Sequence, residues 1–123
     1  MTMRTILVIA LLLSLAACAA ETADPAPVVE RYLQAKVAGD ETTLRELLCL
    51  SMEADLPREV SSFASVTDAR IENMACARVG ETNTVQCTGE IIAVYGTEDT
   101  SFPLTTYRVV QEDGEWKWCG EAG

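Results

Sequence analysis

The most reactive side chains of this chain are five cysteines, and histidine is absent from its 123 residues. Without histidine, the chain lacks the usual general base at neutral pH and the commonest metal ligand. Four cysteines follow the first one, an even number that can form two disulfides or bind a metal through thiolates. The members of this set are Cys49, Cys76, Cys87 and Cys119. None of them has the C-x2-C spacing typical of zinc sites, so we expect no metal and no cofactor.

The first cysteine, Cys18, stands apart at the end of a short apolar run. Arg4 precedes this run, which covers the 12 residues from 6 to 17 and closes with Leu15-Ala16-Ala17. A helix that spans a membrane needs about 20 apolar residues, so the run is too short for a permanent anchor. A positive residue, a short apolar core and small residues before a cleavage point are the parts of a secretory signal.

A cysteine at this place resembles the lipid-attachment site of a bacterial lipoprotein. The resemblance implies that residues 1–17 are removed as a signal peptide and that acyl chains such as palmitate are attached at Cys18. The protein would then lie outside the cytoplasm, in a bacterial cell envelope, with its acyl chains in the inner or the outer membrane. The alternative is an ordinary secretory signal that is cut after Ala19 or Ala20.

The remainder of the chain has the length and charge of one acidic domain. The whole chain has 19 acidic and 9 basic residues and a formal net charge of −10, and without Arg4 the remainder has 8 basic residues and a net charge of −11. This charge disfavours nucleic acid and anionic lipid surfaces as partners, so we expect the acyl chains alone to hold the membrane. We predict a tether over 18–27, a single domain over 28–120 and a short tail over 121–123.

The domain divides into a helical half and a strand half. Apolar spacing predicts a helix over 28–38, a second helix capped by Asp40, and a third from about 55 to 63. Runs of strand-forming residues between turn residues predict four strands, over 69–79, 84–95, 102–111 and 116–119. Helices followed by antiparallel strands indicate an α+β fold, in which the helices pack in the hollow of a bent sheet of about four strands.

The hairpin between the first two strands suggests how the four later cysteines pair. If its loop is centred on residues 81 and 82, Cys76 faces Cys87. Directly opposed residues at a position without ladder hydrogen bonds come as close as a disulfide requires. We therefore predict the pair Cys76–Cys87, which leaves Cys49 for Cys119. A loop of three or five residues would instead put the first two thiols on opposite faces of the sheet.

Two stretches of the domain resemble a known superfamily. The sequence AKVAGD at 35–40, the leucines that follow it and the sequence YRVVQEDGEW at 107–116 are similar to nuclear-transport-factor-2-like (cystatin-like) proteins. The resemblance covers about residues 27–120. It implies a cone, in which helices fill the hollow of a strongly bent antiparallel sheet. This fold hosts isomerases, dehydratases, hydrolases, transport modules and plain binding domains, so it does not choose a function.

Four residues are candidates for a site inside such a cone. The same hairpin register puts Asn73 opposite Glu90 on a face that also carries apolar residues. If that face lines the hollow, burial would raise the pKa of Glu90 and make it a possible base. The other reading is a structural polar pair near the outer face of the sheet. Tyr32 and Tyr107 are the further candidates, although such tyrosines usually pack in a core or at its edge.

The two tryptophans allow two arrangements of the last strand. Trp116 and Trp118 share one face, next to Tyr107, and Cys119 lies on the other face. A disulfide from Cys119 to Cys49 on the helices would turn the tryptophans outward as a partner or dimer surface. An inward tryptophan face would complete the core. The sequence leaves both arrangements open.

The function that these observations favour is that of a non-catalytic binding or interaction module on a membrane. Its ligand would be an unknown protein or a small apolar molecule. Two alternatives stay open, namely a carrier of a small apolar ligand in the cone and an isomerase or hydrolase that uses Glu90.

Overall fold

The computed structural model describes residues 23–123, so the predicted signal peptide, Cys18 and the first part of the tether lie outside the described residues. The helices are α1 (Ala26–Ala38), α2 (Glu41–Leu47), a 3-10 helix (Leu50–Asp55) and α3 (Leu56–Val60). The strands are β1 (Asp68–Arg78), β2 (Thr84–Tyr95), β3 (Glu98–Pro103), β4 (Thr106–Glu112) and β5 (Glu115–Glu121). Within the described part, no helix is long and apolar enough to cross a membrane.

All strands form one antiparallel sheet in the order β1-β2-β4-β5, and β3 pairs with β2 as well. The predicted α+β fold is therefore confirmed. The strand predicted over 102–111 is two strands, which makes five strands within residues 23–123. Because β2 is 12 residues long, β3 pairs with its second half and β4 with its first. The two residues that connect β3 to β4 are also bound to β2, by hydrogen bonds from Leu104 N to Gly89 O and from Cys87 N to Thr105 O.

Local contacts fix both ends of the first helix, whose N-cap residue is Pro25. Asp24 Oδ1 accepts a hydrogen bond from Ala26 N at 3.0 Å, and Pro25 is buried. The folded domain thus starts within the segment that was assigned to the tether. At the other end Gly39 adopts a left-handed conformation (φ 65°), which favours glycine and reverses the chain. Asp40 then caps α2, as predicted, by accepting a hydrogen bond from Thr43 N at 3.2 Å.

The core lies between the helices and one face of the sheet. It is built from the inward residues of α1 and α2 and from alternate residues of the strands. Its largest fully buried side chains include Val29, Tyr32, Leu44, Val85 and Val109. These side chains occupy the space between the helices and the sheet, where a ligand of the cone would have to bind.

A bulge interrupts the first hairpin. Cys76 faces Cys87 as predicted, but the register shifts between Glu72 and Ala75, so that Glu72 and not Asn73 faces Glu90. Asn73 takes a left-handed conformation (φ 56°), which asparagine tolerates better than most residues. Gly89 lies across from it at φ 103°, where an added Cβ would stand 2.6 Å from Asn73 O. The bulge therefore depends on the absence of a side chain at Gly89.

The two disulfides join the pairs that the sequence predicts, Cys49–Cys119 and Cys76–Cys87, with Cα–Cα distances of 5.2 and 4.1 Å. The first of them also explains the orientation of the last strand. Leu48 leaves α2 and forms a parallel bridge with Trp118, and Cys49 N donates to Trp118 O at 2.9 Å. Since neighbouring residues of an extended chain point to opposite faces, Leu48 and Trp118 enter the core together and Cys49 meets Cys119 on the other side. The tryptophans therefore face the core although Cys119 is bonded to Cys49, so the inward tryptophan face and the disulfide occur together.

Candidate functional site

The centre of the cone is occupied by aromatic rings. Tyr32 from α1 lies flat on Trp118 from β5, with ring centroids 3.9 Å apart and an interplanar angle of 9°. Tyr107 from β4 approaches the same indole with a centroid distance of 6.1 Å. Tyr32 is 0% exposed and Trp118 is 3% exposed. The side chains that could line a hollow instead fill it, because large rings stacked in this way exclude solvent.

An ion pair borders the stacked rings. Lys36, one helical turn after Tyr32, places Nζ 2.9 Å from Glu59 Oε2 of α3. The same Nζ lies 5.8 Å from the centroid of the Trp118 ring, within the range of a cation–π interaction. The Glu59 side chain is 7% exposed, so its charge needs a partner within the protein. Lys36 supplies that partner and ties α1 to α3.

Two polar atoms in this aromatic centre are buried without a hydrogen bond of ordinary geometry. Trp118 Nε1 forms no hydrogen bond with any other residue of 23–123, and Tyr32 Oη forms none of ordinary geometry, although the Glu59 carboxylate lies close to it. Burial, followed by the negative charge of Glu59, raises the pKa of Tyr32 far above its usual value, so its hydroxyl stays neutral. Burial also raises the pKa of Tyr107, although Thr105 N donates to its hydroxyl at 3.3 Å. Neutral hydroxyls and an indole N–H can donate hydrogen bonds to an acceptor, but they do not form a proton-transfer pair.

The candidate base Glu90 lies elsewhere. Its neighbour Ile91 packs in the core, so Glu90 points to the face of the sheet away from the helices. There it accepts a hydrogen bond from Ser101 Oγ and faces Glu72 across the strands. Of the four predicted cavity residues, the structure brings Tyr32 and Tyr107 together, whereas Asn73 and Glu90 lie outside the cone. The outer-face reading of Glu90 agrees with this geometry.

A surface cleft of about 290 Å3 lies between α2, the 3-10 helix and the β4–β5 turn, and we call it the rim cleft. Three leucines contribute its apolar part, namely Leu48, Leu50 and Leu56. Five carboxylates also line it, namely Glu46, Glu53, Glu112, Asp113 and Glu115, against the two cations Arg45 and Lys117. The rim cleft is thus an apolar depression with a negative border.

The rim cleft adjoins the place where the described chain begins. A neighbouring cleft shares Glu46, Glu115 and Lys117 with it and is lined by Ala23 and Asp24 as well. Trp116 Nε1 donates to Ala23 O, which holds the first described residue against β5. The described residues therefore begin beside the rim cleft.

The sequence interpretation missed the residues around the stacked rings and the rim cleft. Lys36 follows Tyr32 at a spacing of four residues, which places the two on one side of a helix and was an available signal. Glu59 had no comparable signal, because its position depends on how α3 packs. Nothing in the sequence distinguishes Leu50 from the buried leucines that precede it, and the structure shows it exposed.

Comparisons with known proteins bear on the fold. No model of a protein family matches the chain, and no curated protein matches it in sequence. A solved structure of a designed protein, Rd1NTF2_05 with five substitutions, is similar to the chain with a TM-score of 0.57 and 14% sequence identity. The match covers 79% of this chain and 94% of that chain. At this identity the likeness concerns the fold alone, and it shows that the chain has a nuclear-transport-factor-2-like fold.

Proposed function

We propose that the protein is a lipid-anchored binding module of the cell envelope, that it is not an enzyme, and that it binds through its surface. The observation that carries this proposal is the stack of Tyr32 on Trp118, which fills the centre of the cone. A catalytic or carrier site in the cone would need room for a ligand beside its polar groups. In this protein two rings and the residues around them occupy that room.

The chemistry of the remaining residues supports the same proposal. The chain has no histidine, and the candidate base Glu90 lies on the outer face of the sheet. Lys36 and Glu59 pair with each other, so neither is directed at an open site. The clefts that could receive a partner lie on the surface, and the rim cleft combines leucines with charges in the manner of a protein-binding surface.

The sequence around Cys18 and the two disulfides support an anchored, extracytoplasmic location. Disulfides persist in oxidising compartments such as a bacterial envelope, and a lipid on Cys18 requires export. Ala23 follows Cys18 by five residue steps, a reach of at most about 18 Å. The domain would therefore lie close to the membrane, with the end of the sheet that carries the rim cleft nearest to it.

Metabolic labelling with an alkyne analogue of palmitate tests the anchor. We expect label on the wild-type chain and on Thr22→Ala, a matched control that leaves Cys18 in place. Cys18→Ala should carry no label, because it lacks the thiol that receives the acyl-bearing group. Label on Cys18→Ala equal to that of wild type would overturn the proposed lipid site.

One observation favours a second candidate, a carrier of a small ligand. Tyr32 Oη and Trp118 Nε1 are buried donors without hydrogen bonds of ordinary geometry among residues 23–123, and a ligand with an acceptor oxygen would satisfy them if the rings separated. The dye 1-anilinonaphthalene-8-sulfonate distinguishes the two. A surface-binding module should show no saturable binding of the dye. Binding of one dye per chain with a change in the near-UV circular dichroism of the tryptophans would favour the carrier instead.

A further inference from the structure

We propose that the rim cleft binds a cationic peptide segment that carries an aliphatic side chain between lysines or arginines. This inference rests on the proposed function, because it names the chemistry of the partner that the binding module would take. It is carried by three features of the cleft: an exposed leucine, carboxylates without cationic partners, and a small volume.

The first feature is Leu50, which is 72% exposed and is the most exposed large apolar side chain of residues 23–123. Its backbone is held in place, because its N–H donates to the Glu112 carboxylate with N–O distances of 2.9 and 3.3 Å. The buried residues Leu48 and Leu56 line the cleft below it. A partner side chain seated here would remove apolar surface of Leu50 from water, which is the usual source of affinity at a small contact.

The second feature is the charge of the border. Both cations of the cleft already have partners. Arg45 Nη2 lies 2.8 Å from Glu41 Oε1, and Lys117 Nζ lies 2.6 Å from the backbone oxygen of Glu46 and 3.4 Å from Glu115 Oε2. In contrast, the carboxylates of three lining residues form no ion pair within 23–123, namely Glu46, Glu53 and Asp113. The border thus presents unpaired negative charge around an apolar floor.

The negative charge of the border determines which class of partner can bind in the cleft. A second copy of the chain would bring a formal net charge of −10 toward a cleft that is itself negative, and an anionic membrane would be repelled in the same way. Residues 18–22 contain no lysine or arginine, so the chain has no cation of its own there to offer. A basic segment of another envelope protein, or a free cationic peptide, complements the border.

The size of the cleft limits what can bind. A volume of about 290 Å3 is at the lower end for ligand pockets. It suits one aliphatic side chain and its flanking residues. We therefore expect a short peptide contact that is weak and sensitive to salt.

The probe for the test is a fluorescein-labelled Lys-Lys-Leu-Lys-Lys peptide, added to the full chain in a nonionic detergent. Fluorescence anisotropy should show saturable binding at low salt, which weakens as salt is raised. A Glu-Glu-Leu-Glu-Glu peptide should not bind, and a Lys-Lys-Ser-Lys-Lys peptide should bind about tenfold more weakly, because it lacks the aliphatic anchor. Absence of saturable binding by the first peptide would overturn the inference.

Variants locate the binding on the protein. Leu50→Ser should weaken binding about tenfold, and Glu53→Lys about fivefold at low salt, because one removes the apolar contact and the other reverses a charge at the border. Glu98→Lys makes the same charge change at the opposite end of the sheet, at the first residue of β3, and should bind as wild type does. All three sites are exposed, so unchanged circular dichroism is expected. Equal weakening by Glu98→Lys and Glu53→Lys would mean that overall charge, and not the rim cleft, binds the peptide.

The remaining outcomes separate this inference from the proposed function. Phosphatidylglycerol vesicles form the membrane arm, and binding of Cys18→Ala to them that Leu50→Ser abolishes would assign the cleft to lipid and overturn the peptide site. Peptide binding by a chain that carries no palmitate label would support the cleft and contradict the anchor. Normal labelling at Cys18 without peptide binding would support the anchor and contradict the peptide site in the cleft.

Discussion

The two disulfides should differ in their contributions to the free energy of unfolding, because they close loops of different length. Cys49–Cys119 joins residues 70 apart, whereas Cys76–Cys87 joins residues 11 apart. A crosslink restricts the unfolded chain more when the loop is longer. In the chain-entropy model the long loop corresponds to about 4.4 kcal/mol and the short loop to about 2.8 kcal/mol at 25 °C.

The comparison uses two double variants, Cys49→Ala with Cys119→Ala and Cys76→Ala with Cys87→Ala. Each removes two sulfurs, of which Cys49 and Cys87 are buried, so the loss of packing is similar in the two variants. The difference between them, about 1.6 kcal/mol, then reports mainly on the loops. For a domain of this size such a difference corresponds to roughly 6 to 13 °C in Tm.

Equilibrium unfolding in urea measures both variants against the wild-type chain. We expect the variant without Cys49–Cys119 to unfold at the lower urea concentration. Both should also show larger m values than wild type, since an unfolded chain without a crosslink exposes more surface. A greater loss in the variant without Cys76–Cys87 would refute the reasoning, because it would mean that strain or local packing, and not loop length, decides the contribution of each bond.

Three further substitutions test single features of the fold. Gly89→Ala should lower the free energy of unfolding by about 2 kcal/mol or more in urea, because its Cβ would overlap Asn73 O; a neutral result would contradict the bulge geometry. Tyr32→Phe should raise the free energy of unfolding by about 1 kcal/mol, since it removes a buried hydroxyl without a hydrogen bond of ordinary geometry, and a loss of that size would show that the hydroxyl is hydrogen-bonded. Hydrogen bonds from Thr43 lower the pKa of Asp40 in the folded state, so its contribution to stability is present above the unfolded pKa of about 3.9 and is lost as the pH falls through the folded value. The difference in stability between wild type and Asp40→Asn should therefore be constant above about pH 5 and shrink below about pH 4, and a difference that grows in acid would contradict this sign.

Local features of the fold could be predicted because they depend on neighbouring residues. Gly39 and Asp40 mark the boundary between α1 and α2 by their own conformational preferences, and the hairpin loop alone places Cys76 opposite Cys87. The register beyond this pair was predicted wrongly, since a register extended from a loop assumes that no residue is inserted. Asn73 and Gly89, both suited to left-handed backbone, were the signal of the bulge.

The arrangement of the candidate site depends on contacts between distant segments. Whether Trp118 faces inward was open because Cys49 was assigned to a helix, whereas Leu48 and Cys49 lie in extended chain beside β5. The pairing of Lys36 with Glu59 likewise requires α3 to pack against α1. The filled cone and the rim cleft follow from these contacts between segments, which composition and spacing do not encode.

The intact mass of the mature chain, purified from the membrane fraction, tests the central claim of a lipid-anchored and disulfide-bonded module most directly. The account predicts the mass of residues 18–123 plus a diacylglyceryl group, with or without a further acyl chain, and less four hydrogens for the two disulfides. Treatment with iodoacetamide should leave this mass unchanged until a reductant is added. A chain without lipid that begins after Ala19 or Ala20, or one whose cysteines are alkylated before reduction, would contradict the account.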